Sequence, residues 1–394
     1  MLPQDRTGPD ESSEDGSSER DDRAGVSPRG LLLGCSAVLS LLLVSVVSLL
    51  PAPYVTLSPG PVVDVIGTEV PAAATAATGT SSPSPSPSQG SSEGLITVRG
   101  APVYPTEGSL DLTTVAVLGG PGDDLDLWQA LQAWLDPRVA VAPRSVYYPE
   151  GQSAKDAAAA SVAQMTGSQT AAKVAALREL GEDVPATVTL RVGQLATGAP
   201  AAEVLRVGDE IRAVDGRPVA DFEALRVAVE ALRPGAEVRL TVRRDGATQE
   251  LTTRTVAVDG ATRLGVAPEI TYDFPFDVEL SLENIGGPSA GTMFALGIVD
   301  VLTPGAMTGG QHVAGTGSIT PDGVVGVIGG LRQKVIGARA DGARWFLAPA
   351  AECPQVAGAT PEGITVVPIT TLHQAREAVE TIGAGRGESL PTCG

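Results

Sequence analysis

The 394-residue sequence predicts a chain of several domains, mixing strands and helices, behind one membrane-spanning helix. Three observations carry that expectation. Leu31 to Leu50 is a 20-residue run without a charge. Residues 185–257 read as strand, turn, hairpin, helix and strand. A Gly-Gly-Pro turn at Gly286-Gly287-Pro288 feeds a long apolar stretch, Met293 to Leu302, as a loop does on entering a buried helix. Hydrophobic residues make up 43% and aromatics only 3%, so any core is built from Ala, Val and Leu. The formal charge is −19 and no basic stripe occurs, which argues against nucleic acid as a partner. No Cys/His cluster has metal-ligand spacing, so neither metal nor cofactor is expected.

Residues 1–29 form a polar, acidic tail with the composition of a disordered segment. The run at 31–50 spans about 30 Å as a helix, the thickness of the hydrocarbon layer. Arg20, Arg23 and Arg29 precede it, and no further cation appears until Arg99. That asymmetry places the N-terminus in the cytoplasm and the rest of the chain outside. Pro51-Ala52-Pro53 offers no small-residue cleavage site, so the run reads as an anchor and not as a removed signal. Cys35 lies within it. Cys353 and Cys393 both fall outside, where a disulfide persists if it forms; a bridge and two free thiols are both open.

Residues 51–92 begin with Tyr54 to Val65, read as strand, turn and strand, and continue into 71–92, which contains only Pro, Ala, Thr, Gly, Ser and Gln and reads as a flexible linker. Residues 93–184 form an α/β segment. Leu95 to Val98 and Leu110 to Val117 alternate like strands. Asp126 to Leu135 has helical spacing, with Trp128 and Trp134 expected in the core or in membrane-proximal packing. Ser153 to Leu180 is an Ala-rich helix, capped by Ser153, stopped by Gly181 and expected to break near Gly167. Lys155 and Lys173 read as surface charges, and no chemistry is evident in this segment.

Residues 185–257 are more distinctive. Val188 to Val192 is a strand, and Leu205-Arg206-Val207-Gly208-Asp209-Glu210-Ile211 leads to Val214-Asp215-Gly216-Arg217-Pro218-Val219. Asp215-Gly216 is a hairpin signal. A helix over Asp221 to Leu232 and a strand over Val238 to Arg243 complete the block. This block resembles a PDZ domain of the bacterial protease-associated kind, β-rich with two short helices. The resemblance implies binding of extended peptides by strand addition. A PDZ domain that packs on its neighbour and gates it is the equal alternative.

The last block, 258–386, carries the chemistry. Ser289 opens the apolar helix, where backbone N–H groups lack partners and could hold a developing oxyanion. Gly286, Gly287 and Gly291 would let a substrate backbone approach. The serine needs a base. The chain has two histidines, His312 and His373, and three lysines against 24 arginines. Arg cannot give up its proton, whereas a buried Lys can become a neutral base. Lys334 lies at a helix start flanked by apolar residues, 45 residues after Ser289. His312 has no evident orienting acid, His373 sits on a C-terminal helix at Thr371 to Ile382, and a phosphate site at the glycine turn lacks its lysine motif.

Gly287-Pro288-Ser289-Ala290-Gly291, then Gly315-Thr316-Gly317-Ser318-Ile319-Thr320 and Val324 to Lys334, resemble the motifs of Lon-type serine proteases. The likeness covers Leu264 to Ala378, and Gly286 stands where that family commonly has Asp. It implies an α+β catalytic domain with Ser289 as nucleophile and Lys334 as base, with Thr316 and Gly287 as auxiliary residues. Tyr54 to Val65, just outside the apolar run, resembles the juxtamembrane part of single-span bacterial PDZ–Lon proteins. The resemblance implies ATP-independent cleavage of peptide or unfolded protein substrates and hexameric rings. The alternative is a non-enzymatic membrane scaffold with an inert dyad.

Overall fold

The structure is a computed structural model, and it describes residues 28–48, 50–67, 95–149, 151–196, 198–258, 260–282 and 285–393. Most of the acidic tail and the whole 71–92 linker lie outside the described residues. Helix α1 (Pro28–Ser48) takes up most of the apolar run. Several of its side chains, Leu33, Leu43 and Val44 among them, are not described. Among the described residues no helix is long and apolar enough to cross a membrane. The spanning expectation for 31–50 therefore stands on the sequence and not on the structure.

Strand β1 (Pro51–Ala52) leads into β2 (Tyr54–Asp64), followed by β3 (Ile96–Arg99), β4 (Ser109–Leu118), β5 (Leu125–Asp126), helix α2 (Leu127–Leu135), β6 (Ala140–Pro143), α3 (Arg144–Tyr147) and α4 (Ala154–Glu179). Two expectations are corrected here and a third is narrowed. Ser58-Pro59-Gly60 does not turn the chain; it forms a bulge in one long strand paired with β4, and Gly60 allows close approach to Thr114. Helix α4 runs 26 residues through Gly167 without a break, because its buried face, Met165, Ala172 and Val174 to Leu177, is held by neighbouring elements. Trp128 and Trp134 are 54% and 73% exposed, so neither belongs to the core. They lie on α2, whose Leu127 N–H donates to the Leu50 carbonyl at 3.1 Å, beside the end of α1.

The PDZ-like block comprises β7 (Ala186–Leu195), β8 (Glu210–Val214), β9 (Arg217–Pro218), α5 (Phe222–Glu230), β10 (Glu237–Arg244) and β11 (Ala247–Arg254). Asp215 and Gly216 both take positive φ, 48° and 76°, and turn β8 into β9 as a hairpin. Asp209 is buried and accepts both arms of the Arg244 guanidinium at 2.7 Å, so the Gly-Asp pair of the motif is structural. Strands β12 (Val256–Val258) and β13 (Ala261–Arg263) then lead to β14 (Val266–Tyr272), which pairs antiparallel with β7, and to β15 (Asp277–Leu280), which pairs with β3.

The rest is α6 (Gly291–Leu302), β16 (His312–Gly315), β17 (Ser318–Ile319), β18 (Val325–Gly326), α7 (Leu331–Asp341), β19 (Trp345–Pro349), β20 (Thr365–Ile369) and α8 (Leu372–Gly383). The central six-stranded sheet runs β20-β19-β16-β4-β2-β6. Half of its strands, β2, β4 and β6, precede the PDZ-like block in sequence. Alternation along the strands divides two cores. Val313, Leu347, Val367 and Ile369 face α6 and α8, with α4 packed on the same side. Ala314, Phe346, Ala348 and Val366 face α7. Cys353 and Cys393 form a disulfide, with Cα atoms 4.9 Å apart.

Candidate active site

Helix α6 is buried from Gly291 through Asp300, which fixes the direction of its N-terminal end. Its N-cap is Ala290, so Ser289 lies just before the cap and not within the first turn. The loop carrying Ser289 is held from two sides. From α4, the Ser161 carbonyl accepts from the Gly287 N–H at 3.2 Å and the Ser168 hydroxyl donates to the Pro288 carbonyl at 2.9 Å. From the connection between β16 and β17, the Gly317 N–H and the Thr316 hydroxyl both donate to the Ser289 carbonyl, at 2.9 and 3.0 Å. The α4 segment, in which the sequence showed no chemistry, is thus the buttress of the Ser289 loop.

The glycines serve this packing. A Cβ at Gly291 would stand 2.8 Å from both Ile319 Cγ2 and Ser168 Oγ, and one at Gly286 would collide with the Ser161 hydroxyl. Gly287 differs: its φ is +90° and nothing lies within 4 Å of where its Cβ would point. Among the described residues the N–H groups of Ala290 and Gly291 donate no hydrogen bond, whereas that of Thr292 is taken by the Gly317 carbonyl.

Lys334 sits in the first turn of α7, which starts at Gly330 in a left-handed conformation, φ +68°. Leu331, Val335 and Ala338 anchor that helix to the sheet, and Lys334 is carried inward with them to 3% exposure. Its Nζ donates to Thr316 Oγ1 at 2.9 Å. The Thr316 proton is committed to the Ser289 carbonyl, so its lone pairs remain to accept from the lysine. Burial pulls the Lys334 pKa from 10.5 down to about 8, partly opposed by the charge of Glu352. Three predicted residues, Ser289, Thr316 and Lys334, are therefore joined through one hydroxyl and one carbonyl.

Glu352 was not legible as a site residue. It is 4% exposed and accepts from the Ile328 N–H and from Gln355 Nε2, each at 3.0 Å. The only signal for it was an acid beside Cys353 in an otherwise apolar stretch.

The histidines lie elsewhere. His312 does have an acid: Asp111, from β4, hydrogen-bonds its Nε2 and raises its pKa, and Asp341 stands 3.8 Å away. The sequence could not show this pairing because the partners are 201 residues apart. Yet four residues of strand, roughly 13 Å, separate His312 from Thr316, so His312 does not serve Ser289. The ligand atoms of Asp111, His312 and Asp341 lie within 4.8 Å of one another and could by geometry hold a cation. His373 is exposed on α8 with Nδ1 2.9 Å from Glu179.

Residues 172–255 match the PDZ domain family, and residues 284–379 match the Lon protease (S16) C-terminal proteolytic domain. A Lon protease of Roseiflexus castenholzii is 33% identical over 104 residues, 26% of this chain and 13% of that protein's length. The chain thus spans only a small part of the curated relative that it matches. Among solved structures, the PDZ domain of an SdrC-like protein from Listeria monocytogenes aligns at 22% identity, covering 21% of this chain and 85% of that one, with a TM-score of 0.20. A Geobacillus thermodenitrificans protein, GtR34C, aligns at 29%, covering 20% and 94%, with a TM-score of 0.19. The mixed α and β chain joins a PDZ domain to a Lon-type proteolytic domain.

Proposed function

We propose that this protein is a membrane-anchored serine endopeptidase that works without ATP, with Ser289 as nucleophile and Lys334 as general base. The carrying observation is a buried amine, depressed to a pKa of about 8, hydrogen-bonded to the hydroxyl that holds the Ser289 carbonyl. At neutral pH roughly a tenth of such lysines are uncharged. The neutral amine takes the Ser289 proton as the serine oxygen attacks the scissile carbonyl carbon. The N–H groups of Ala290 and Gly291, at the positive end of α6, are the donors available to the resulting oxyanion. The lysine then protonates the departing amine, and a water, deprotonated by the same lysine, releases the acyl group.

The apolar, uncharged run at 31–50 supports the anchor, with the exposed Trp128, Leu131 and Trp134 beside the end of α1. The arginines before that run and the Cys353–Cys393 disulfide support catalysis outside the cytoplasm, on flexible or unfolded peptides. The PDZ domain serves substrate or partner peptides in this scheme. Labelling of the full chain by a fluorophosphonate tests the proposal. Wild type should label, Ser289→Ala should not, and Lys334→Met should label at least a hundredfold more slowly. Equal labelling of wild type and Ser289→Ala would overturn Ser289 as the nucleophile, and no labelling of folded wild type would favour the scaffold alternative.

A further inference from the structure

Helix α2 is exposed around most of its circumference. Ala130 is buried and Ala133 half-buried, and these two small residues are its inward side. The other seven positions divide in two at about 100° per residue. Leu127, Trp128, Leu131, Trp134 and Leu135 share one arc of about 120°, and Gln129 and Gln132 stand together beyond it. The five apolar side chains are between 40% and 73% exposed. An apolar patch of this kind, with a polar edge, marks a surface that meets something other than water.

Backbone pairing fixes where the arc sits. Pro51 and Ala52 pair with Asp126 and Leu125, and the Leu127 N–H donates to the Leu50 carbonyl at 3.1 Å. Leu50 is the last residue of the uncharged run, so α2 starts one hydrogen bond away from the end of that run. Beyond α2 the chain enters β6, which pairs with β2 of the central sheet. The helix is thus held at both ends by strand pairing. The rest of the chain offers nothing to cover the arc: residues 1–29 are polar and acidic, and 71–92 hold only Pro, Ala, Thr, Gly, Ser and Gln. A second copy fits poorly, because a nine-residue helix is only about 14 Å long and a stable pair buries roughly 1,200 Å² or more. Tryptophan and leucine on one side with amides on the other suit the boundary of a bilayer, where an indole ring lies among acyl chains and its N–H among headgroups. The charges flanking the helix are paired, Asp124 with Arg144 and Asp136 with Arg138, so the contact is apolar and calls for no anionic lipid.

We propose that α2 lies along the bilayer surface beside the end of α1, with its apolar arc in the headgroup–acyl boundary, and that this second contact fixes how the central sheet is oriented to the membrane. The inference rests on the reading of residues 31–50 as an anchor, and it stands whether or not Ser289 is a nucleophile. A single helix leaves the domain free to swivel about it; an adjoining helix held by strand pairing removes that freedom.

The test reconstitutes the full chain in phosphatidylcholine vesicles, with part of the lipid brominated on its acyl chains to quench nearby indoles. In a Trp345→Phe chain the reporters are Trp128 and Trp134, and their emission should fall at least about twofold. In a chain with both Trp128→Phe and Trp134→Phe the reporter is Trp345, on β19, and its emission should not change. Adding Leu131→Gln and Leu135→Gln to the first chain changes only exposed side chains, so the fold is kept; at least half of the lost emission should return while the chain still floats with the vesicles. A chain that floats with unquenched Trp128 and Trp134 would overturn the docking and leave the anchor standing. Quenching that ignores the two glutamines, or that falls equally on Trp345, would overturn it too. Unquenched reporters in a chain that sediments as a dimer would give the arc to a second copy. A folded chain that does not float at all would remove the anchor, and this proposal with it.

Discussion

Replacing Lys334 by methionine should make the protein more stable while ending its chemistry. Lys334 is 3% exposed, and burial lowers its pKa from 10.5 to about 8. One pKa unit corresponds to about 1.4 kcal/mol, so holding the ammonium inside costs roughly 3 kcal/mol below pH 8. Methionine fills a similar volume without a charge. It forgoes the hydrogen bond to Thr316, about 1 kcal/mol. The expected net gain at pH 7 is about 2 kcal/mol. The sign of its pH dependence follows from linkage. Between about 8 and 10.5 the unfolded chain holds a proton on this lysine that the folded chain has lost, so wild-type stability rises with pH across that window. The advantage of the methionine variant should therefore be largest below pH 8 and shrink toward pH 10.5. Urea unfolding followed by Trp345, on β19 of the central sheet, reports this domain, since Trp128 and Trp134 are exposed. Parallel wild-type and Lys334→Met midpoints from pH 7 to 10.5 would refute the claim that this amine is charged at a cost inside the fold.

The same pKa predicts that acylation of wild type by a fluorophosphonate rises with pH through about 8 and then levels off, read as labelling rate against pH. Thr316→Ala should cut that rate at least tenfold and Thr316→Ser restore most of it, because the hydroxyl joins Lys334 to the Ser289 carbonyl; a reporter of fold alone would not separate the two variants. Gly291→Ala should slow labelling tenfold or more and cost about 1–3 kcal/mol, from contact with Ile319 and Ser168. Gly167→Ala, on α4 with open space around it, should stabilise by about 0.5–1 kcal/mol and leave labelling unchanged. Reducing Cys353–Cys393, which closes 40 residues, should cost about 3–4 kcal/mol, read as a fall in urea midpoint with dithiothreitol.

Local order and short-range motif determined a good deal in the sequence by itself. The Asp215-Gly216 hairpin, the apolar helix after the Gly-Gly-Pro turn and the apolar flanks of Lys334 all follow from residues within a few positions of one another. Backbone conformation and helical periodicity act over just that range. Three lysines among 27 cations singled out the base candidate before any coordinates. What the tertiary structure alone decided are the long-range pairings. The central sheet borrows β2, β4 and β6 from segments that lie before the PDZ domain. Ser161 and Ser168 of α4 steady the Ser289 loop, Asp111 supplies His312 with its acid, and β14 pairs along the edge of β7. A strand or a carboxylate carries no mark of its partner in its own neighbourhood; the partner is chosen by which buried surfaces and unpaired backbone groups meet when the sheet closes, and that is a property of the folded chain.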